Sequence, residues 1–241
     1  REHTERLRRS CEMLDFELPL SDDELDAAKM AVVEANGIVD GYVRAFAWRG
    51  SEMMAISAQH TTTHVAIAAW EWPSYFDPET KMKGITLDIA DWKRPSPESA
   101  PVHAKAAGLY MICTLSKHAA EKKGFQDALM LDYRGYLAEA TGANVFFVDK
   151  EGTIHTPIAD CFLDGITRRT VIALAESLQM KVVQRHLTLD DLSEMTECFL
   201  TGTAAEVTPV SQIGDASFTP GDISRQLVDG YENLVRGRIA L

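Results

Sequence analysis

Apolar positions along this chain of 241 residues follow two periods, and the changes between them mark out its elements. Leu7, Cys11 and Leu14 recur at helical spacing among charged residues, so residues 2–14 are expected to form a helix. Ser21 followed by Glu24 is the signature of a capping box, and the helix it opens runs to Asn36-Gly37, a glycine stop. Residues 41–49 and 64–72 are β-branched, aromatic or small and read as strands. The proline-punctuated run Trp72-Pro73-Ser74-Tyr75-Phe76-Asp77-Pro78 makes the best domain boundary.

Beyond it, a strand over 84–89 precedes a loop at 93–100 that contains Pro95 and Pro97. A helix is expected over 105–123, ended by Gly124. Residues 128–131, 135–140 and 144–148 read as short strands, with turns at 132–134 and 149–152. A helix over 168–178 and a strand over 181–185 follow. Apolar stretches at 199–200 and 207–210 then bracket Thr201-Gly202-Thr203-Ala204-Ala205-Glu206, and a last amphipathic helix opens at Thr219-Pro220 and runs to residue 236. Strands and helices mix without strict βαβ alternation, which favours an α+β fold of two lobes. The expected division is a small N-terminal α/β lobe over 1–73, a linker over 74–82 and a larger lobe over 83–241.

Composition narrows the function classes. The content of 46% hydrophobic and 25% charged residues is that of a globular protein, and the formal charge of −12 argues against nucleic acid and anionic membrane surfaces. No apolar run reaches the length of a bilayer span. Cys11, Cys113, Cys161 and Cys198 are scattered and form no CxxC pair, so they read as buried thiols of a reducing, cytoplasmic compartment, with no metal site. The chain opens on Arg1 directly into a helical pattern, and an N-terminal part of the natural protein is expected to precede it.

Candidate chemistry begins with Lys105, in Pro101-Val102-His103-Ala104-Lys105-Ala106-Ala107-Gly108-Leu109-Tyr110, which has few nearby partners for its charge. Partial desolvation there disfavours the ammonium and yields the neutral amine that a Schiff-base lysine needs. The plainer alternative is a lysine snorkelling from an amphipathic helix. Gly165-Ile166-Thr167-Arg168 sits where a turn meets a helix, and its free amides, dipole and hydroxyl make a phosphate cup or simply a helix cap. The 201–205 turn offers further amides and hydroxyls, and Arg6 a guanidinium for the same anion, or else a solvated face. Glu139, among Leu, Ala and Gly, is either exposed on an edge or buried with a cationic partner, for which a protonated pyridine nitrogen would serve. Tyr110 is a core tyrosine or a partner for a ring oxygen.

The runs 104–110, 135–147, 163–168 and 199–210, in that order, resemble the fold-type IV pyridoxal-phosphate enzymes, and among them the bacterial branched-chain amino acid aminotransferases. The resemblance covers nearly the whole chain. It implies pyridoxal 5'-phosphate as cofactor and Lys105 as the catalytic residue that bonds its aldehyde and shuttles the substrate α-proton. Glu139 would pair with the pyridine nitrogen and Tyr110 with the ring oxygen, while Asn144 fits the strand that follows the glutamate. Arg6, Gly165, Ile166, Thr167 and Thr203 would hold the phosphate, and Thr203 and Ala204 would present amides to the substrate carboxylate.

On the substrate side, Gly41-Tyr42-Val43-Arg44 resembles the Tyr-x-Arg strand of the branched-chain enzymes, whose arginine helps to accept the side-chain carboxylate of glutamate. Trp72 and Tyr75 match aromatic positions that wall the pocket in the family. The resemblance implies transamination between leucine, isoleucine or valine and 2-oxoglutarate in a homodimer. A D-amino acid aminotransferase, an aminodeoxychorismate lyase and a non-catalytic cofactor-binding module are the alternatives. The chain departs from the subclass at Gly50-Ser51-Glu52-Met53-Met54-Ala55-Ile56, where a glycine-rich loop is usual.

Overall fold

The capping box anticipated at Ser21 forms in full: its side chain accepts the Glu24 amide, and the Glu24 carboxylate accepts the Ser21 amide at 2.7 Å. The structure, a computed structural model, describes residues 1–72 and 81–241. It divides into two compact units, Arg1–Tyr75 with Ala104–Ala106, and Phe76–His103 with Ala107–Leu241.

In the first unit, helices α1 (Glu2–Met13) and α2 (Asp22–Ala35) cover a hairpin of strands β1 (Gly41–Arg49) and β2 (Thr63–Glu71). Ala45 and Ala47 of β1, with Val65 and Ile67 of β2, pack against Cys11, Leu18 and Leu25. Strand alternation sends Tyr42, Arg44, Phe46 and Trp48 to the opposite face, opposite Trp70, Ala68, Ala66 and His64.

The second unit is built on a nine-stranded sheet: β3 (Ile85–Ile89), β4 (Asp127–Leu131), β5 (Leu137–Ala140), β6 (Asn144–Asp149), β7 (Ile154–Thr156), β8 (Val182–Gln184), β9 (Met195–Gly202), β10 (Glu206–Ile213) and β11 (Ala216–Ser217). Because β9 pairs with both β6 and β10, the strands β10, β3, β4, β5, β6 and β9 close into a ring. One face of the ring is filled by Leu87, Leu129, Leu137, Val145, Phe147, Leu200 and Val210. On the other, α3 (Met111–Lys122) packs Cys113 and Ala120 on Ala128 and Met130, while α4 (Ile166–Ser177) and α5 (Asp222–Val235) pack on Phe146, Phe199 and Val207.

Several boundaries differ from those expected. The strand at 135–140 starts at Leu137, because Asp132 Oδ1 takes the amides of Gly135 and Tyr136 at 3.0 and 3.1 Å and holds them in a turn, with Gly135 at φ +100°. The helix expected over 105–123 begins only at Met111, after a short 3-10 turn over Ala107–Tyr110. The final helix starts at Asp222, where the buried Glu197 of β9 reaches across to accept the Ser224 amide at 2.8 Å. Strands β7 and β11 were not anticipated. The linker expected over 74–82 falls mostly outside the described residues.

Glu197 thus serves as a helix cap supplied from another strand, and α5 supports α4 through the core that they share. Glu197→Ala is expected to cost about 1–2 kcal/mol by chemical denaturation. An unchanged unfolding midpoint would show that α5 needs no such cap.

Candidate active site

Residues directly opposite one another in antiparallel strands share a face, and the register of the ring sets up one such row. Met130 faces Glu139, Glu139 faces Asn144, Asn144 faces Thr201, and Thr201 faces Val207. Met130 lies under α3 and Val207 under α4 and α5, so the polar three sit where the apolar cover is interrupted. All three are buried, at 9%, 4% and 1% exposure. Burial of this kind has to be compensated by partners.

Glu139 is neither exposed nor at an edge; its cationic partner is Arg94, which the sequence did not reveal. Arg94 Nε lies 3.3 Å from Glu139 Oε1, and Arg94 is itself 3% exposed. The guanidinium also donates to the Leu109 carbonyl at 3.3 Å and touches Cys113 Sγ at 3.5 Å. The contact with Glu139 is an ion pair outside hydrogen-bonding geometry, so Nε remains available as a buried donor. Burial pushes the Cys113 thiol up, which keeps it neutral. Arg94 sits in the 93–100 stretch that the prolines mark as loop; its amide bonds Leu131 O at 2.8 Å and extends the line of β3 beside β4.

Asn144 connects this carboxylate to the N-terminus of α4. Its amide nitrogen points to Glu139 Oε2 at 3.4 Å and donates to the Leu163 carbonyl at 2.9 Å. Gly165 is the N-cap of α4, with no side-chain cap, and a Cβ there would collide with Asn144 Oδ1. The first amides of α4 therefore have neither a helical partner nor a capping side chain, which suits an anion. Thr167 is buried, with its hydroxyl 3.5 Å from that of Tyr231 on α5. Burial raises the Tyr231 phenol, so it stays protonated as a donor. Half-buried Ile166 lies beside it.

Thr201 is the penultimate residue of β9, and its Oγ1 is buried with no hydrogen-bond partner. Such a hydroxyl costs about 1–3 kcal/mol when left unsatisfied. Thr203 and Ala204 follow at the exposed tip of the β9–β10 turn, where Glu206 takes a left-handed conformation at φ +52°. Tyr110 is the N-cap of α3, half-buried against its core.

The first unit carries the remaining predicted residues. Lys105 is not on a helix: Ala106 N bonds Ala104 O at 2.9 Å in a turn, and the Lys105 amide donates to the buried Ser10 hydroxyl of α1 at 3.0 Å. The residue is exposed, next to buried Ala104 and half-buried Ala106, so its desolvation is not supplied by this chain's own packing. Arg6 lies on α1 with Nη2 3.4 Å from His3 Nδ1. Tyr42 packs at a tilt against Trp70 and Trp72, at 5.2 and 5.6 Å between ring centroids, and Arg44 lies exposed over Phe46 at 5.8 Å. Tyr75 falls outside the described residues.

The donor set fits a phosphorylated pyridine ring. A buried carboxylate held by a buried guanidinium stands beside uncapped helix amides, with a threonine hydroxyl that has no hydrogen-bond partner.

Comparison with known proteins agrees with this chemistry. The chain matches the amino-transferase class IV family over residues 1–213. It is similar to a probable branched-chain-amino-acid aminotransferase of Rickettsia conorii, 40% identical over 240 residues that cover 98% of this chain and 81% of the relative. It is also similar to the solved T.th. branched-chain amino acid aminotransferase with pyridoxamine 5'-phosphate, at TM-score 0.95 and 37% identity, covering 99% of this chain and 79% of that one. The same enzyme complexed with N-(5'-phosphopyridoxyl)-L-glutamate gives TM-score 0.93 and 36% identity, covering 99% and 78%. The chain belongs to the class IV amino-transferase family.

Proposed function

We propose that this protein is a pyridoxal 5'-phosphate-dependent enzyme that transfers the amino group between L-leucine, L-isoleucine or L-valine and 2-oxoglutarate, giving branched 2-oxo acids and L-glutamate. The observation that carries this reading is the buried row Glu139, Asn144 and Thr201 beside the uncapped N-terminus of α4. The names of the similar proteins supply the substrate class, and the solved neighbours are in complex with pyridoxamine 5'-phosphate and a phosphopyridoxyl-glutamate.

When bound, the cofactor supplies an aldehyde carbon for the amino group and a ring that takes up the electron pair left as the α-proton departs. The protein's part is to hold, orient and move protons. The α4 amides of Ile166 and Thr167, the Thr203 amide and Arg6 hold the phosphate, with the helix dipole adding to the attraction. Glu139 keeps a proton on the ring nitrogen, and Arg94 and Asn144 hold that carboxylate in place. Tyr110 donates to the ring oxygen. Lys105 would hold the cofactor through its aldehyde, and its Nζ as a neutral amine would take the α-proton from the substrate and give it back in the reverse half-reaction. Thr203 and Ala204 present amides to the α-carboxylate. Tyr42, Trp72 and Tyr75 wall the apolar side chain, and Arg44 takes the second carboxylate of glutamate.

We assign the protein to the cytoplasm on its four buried, unpaired thiols, and to a homodimer as the resemblance of its motifs implies. Light scattering of the purified chain tests the dimer. Among the described residues no helix is long and apolar enough to cross a membrane.

Amino transfer from L-leucine is expected to exceed that from D-alanine, with no pyruvate released from aminodeoxychorismate; the reverse order would move the protein to another member of the fold. Lys105→Ala should retain pyridoxamine 5'-phosphate yet lose roughly 10²–10⁴ in the rate of proton transfer. Full kcat in that variant would remove Lys105 from the chemistry. Glu139→Gln should bind cofactor but slow α-proton removal by orders of magnitude, and wild-type kinetics would place the ring nitrogen elsewhere. Arg94→Met leaves a buried carboxylate uncompensated and should cost about 3–5 kcal/mol in denaturation, part of which the double variant with Glu139→Gln recovers. Additive losses would mean that the two residues do not act as a pair.

A further inference from the structure

The segment that leads into the α4 N-terminus, residues 157–165, is clamped from two sides by arginines. From α4, the buried Arg168 donates to Asp164 at 2.7 Å, to the Pro157 carbonyl at 3.0 Å and to Gln184 at 2.7 Å. From the turn between β4 and β5 comes Arg134. Its Nη2 lies 2.7 Å from Asp132 Oδ2, 2.8 and 2.9 Å from the two oxygens of Asp160, and 3.3 Å from Cys161 Sγ.

Asp132, Asp160 and Cys161 converge within 4.8 Å, a spacing that would suit a metal ion, but the cation among them is this guanidinium. The turn is built to aim it. Asp132, 2% exposed, takes the amides of Arg134, Gly135 and Tyr136 on one oxygen and Arg134 Nε at 2.9 Å on the other. The rings of Tyr133 and Tyr136 lie 5.4 and 5.3 Å from the guanidinium carbon, and Tyr136 stacks on His186 at 4.7 Å. Burial, and then the Asp160 carboxylate, pushes the Cys161 thiol up to about 12, so it stays a neutral packing group with Phe162 and Ala138. Two residues further on, the Leu163 carbonyl takes the Asn144 amide, and Gly165 follows against Asn144 Oδ1.

We propose that Arg134 is a positioning residue for the phosphate of the cofactor: by bolting Asp160 and Cys161 to the β4–β5 turn, it holds residues 160–165 in the conformation that presents the first amides of α4. The proposal rests on the reading of Gly165, Ile166 and Thr167 as the phosphate cup. Without the bolt the segment has conformations to lose when an anion binds, and that ordering cost falls on phosphate-bearing ligands alone.

The test compares dissociation constants of the full chain for pyridoxamine 5'-phosphate and for pyridoxamine, neither of which requires the Lys105 bond. Arg134→Met should weaken the phosphorylated ligand about tenfold and leave pyridoxamine unchanged. Asp160→Asn, which keeps the side-chain volume, should do the same, and the double variant should be no worse than either single one. Equal weakening of both ligands, or no change in either, would overturn the proposal. Gly165→Ala separates it from the cup itself. If that variant fails to discriminate the two ligands, the phosphate is held elsewhere; if it discriminates and Arg134→Met does not, the cup stands and the bolt falls.

Discussion

Strand β9 is bonded along both edges, and the candidate site depends on that closure. In a ring of strands every register is tied to its neighbours', so no strand can slide without breaking two ladders. The row of Glu139, Asn144 and Thr201 exists because two consecutive antiparallel registers agree. Displacing β6 by a single residue would turn Asn144 toward Leu87 and Leu129 and turn Val145 and Phe147 away from them, which exchanges packed apolar residues for an unpartnered amide. The apolar filling of one face therefore enforces the polar geometry of the other. This is why a stretch of residues as small as Leu137-Ala138-Glu139-Ala140 can hold a carboxylate in a fixed place.

Much of this was legible in the amino-acid sequence, and the parts that were not have physical reasons. The strands came through where β-branched and aromatic residues cluster, as in Asn144–Asp149, and the helices where a cap is written in side chains, as at Ser21. The start of α5 was blurred because its cap, Glu197, is supplied from β9, more than twenty residues earlier. For Glu139 the alternatives were an exposed edge or a buried cation partner, and deciding between them needed Arg94, which is far along the chain and sits among prolines. The spacing up to Gly124 predicts a helix that includes Lys105, whereas the Ser10 hydroxyl takes its amide and fixes it in a turn. Side-chain acceptors from distant elements override local propensity in each of these cases.

Charge is distributed unevenly in a way that composition hides. The chain carries a formal charge of −12, yet Arg94 and Arg168, near the row and the cup, are buried at 3% and 2% exposure. Both are fastened by carbonyls as well as carboxylates, which spreads the compensation of a charge that neither can shed by deprotonation. Among the described residues the interior holds both signs, Arg94 and Arg168 with Asp132, Glu139 and Glu197, and the two guanidinium groups tie its segments together. A fork of fixed donors is better suited to that task than an ammonium, because it can satisfy acceptors on separate segments at once.

Asn144 is where these constraints meet, and the residue type follows from them. Its amide nitrogen serves two acceptors, Glu139 and the Leu163 carbonyl, so an aspartate in its place would set a carboxylate against a carboxylate and a carbonyl. Its oxygen occupies the space above Gly165 that any Cβ would need, so a longer glutamine would have to displace the segment that opens α4. A single carboxamide thus fixes the distance between the group read as the partner of the ring nitrogen and the amides read as the phosphate cup. In the proposed function those two ends meet one ligand, and the strand that carries Asn144 lies between two others in the ring, which keeps their spacing from drifting.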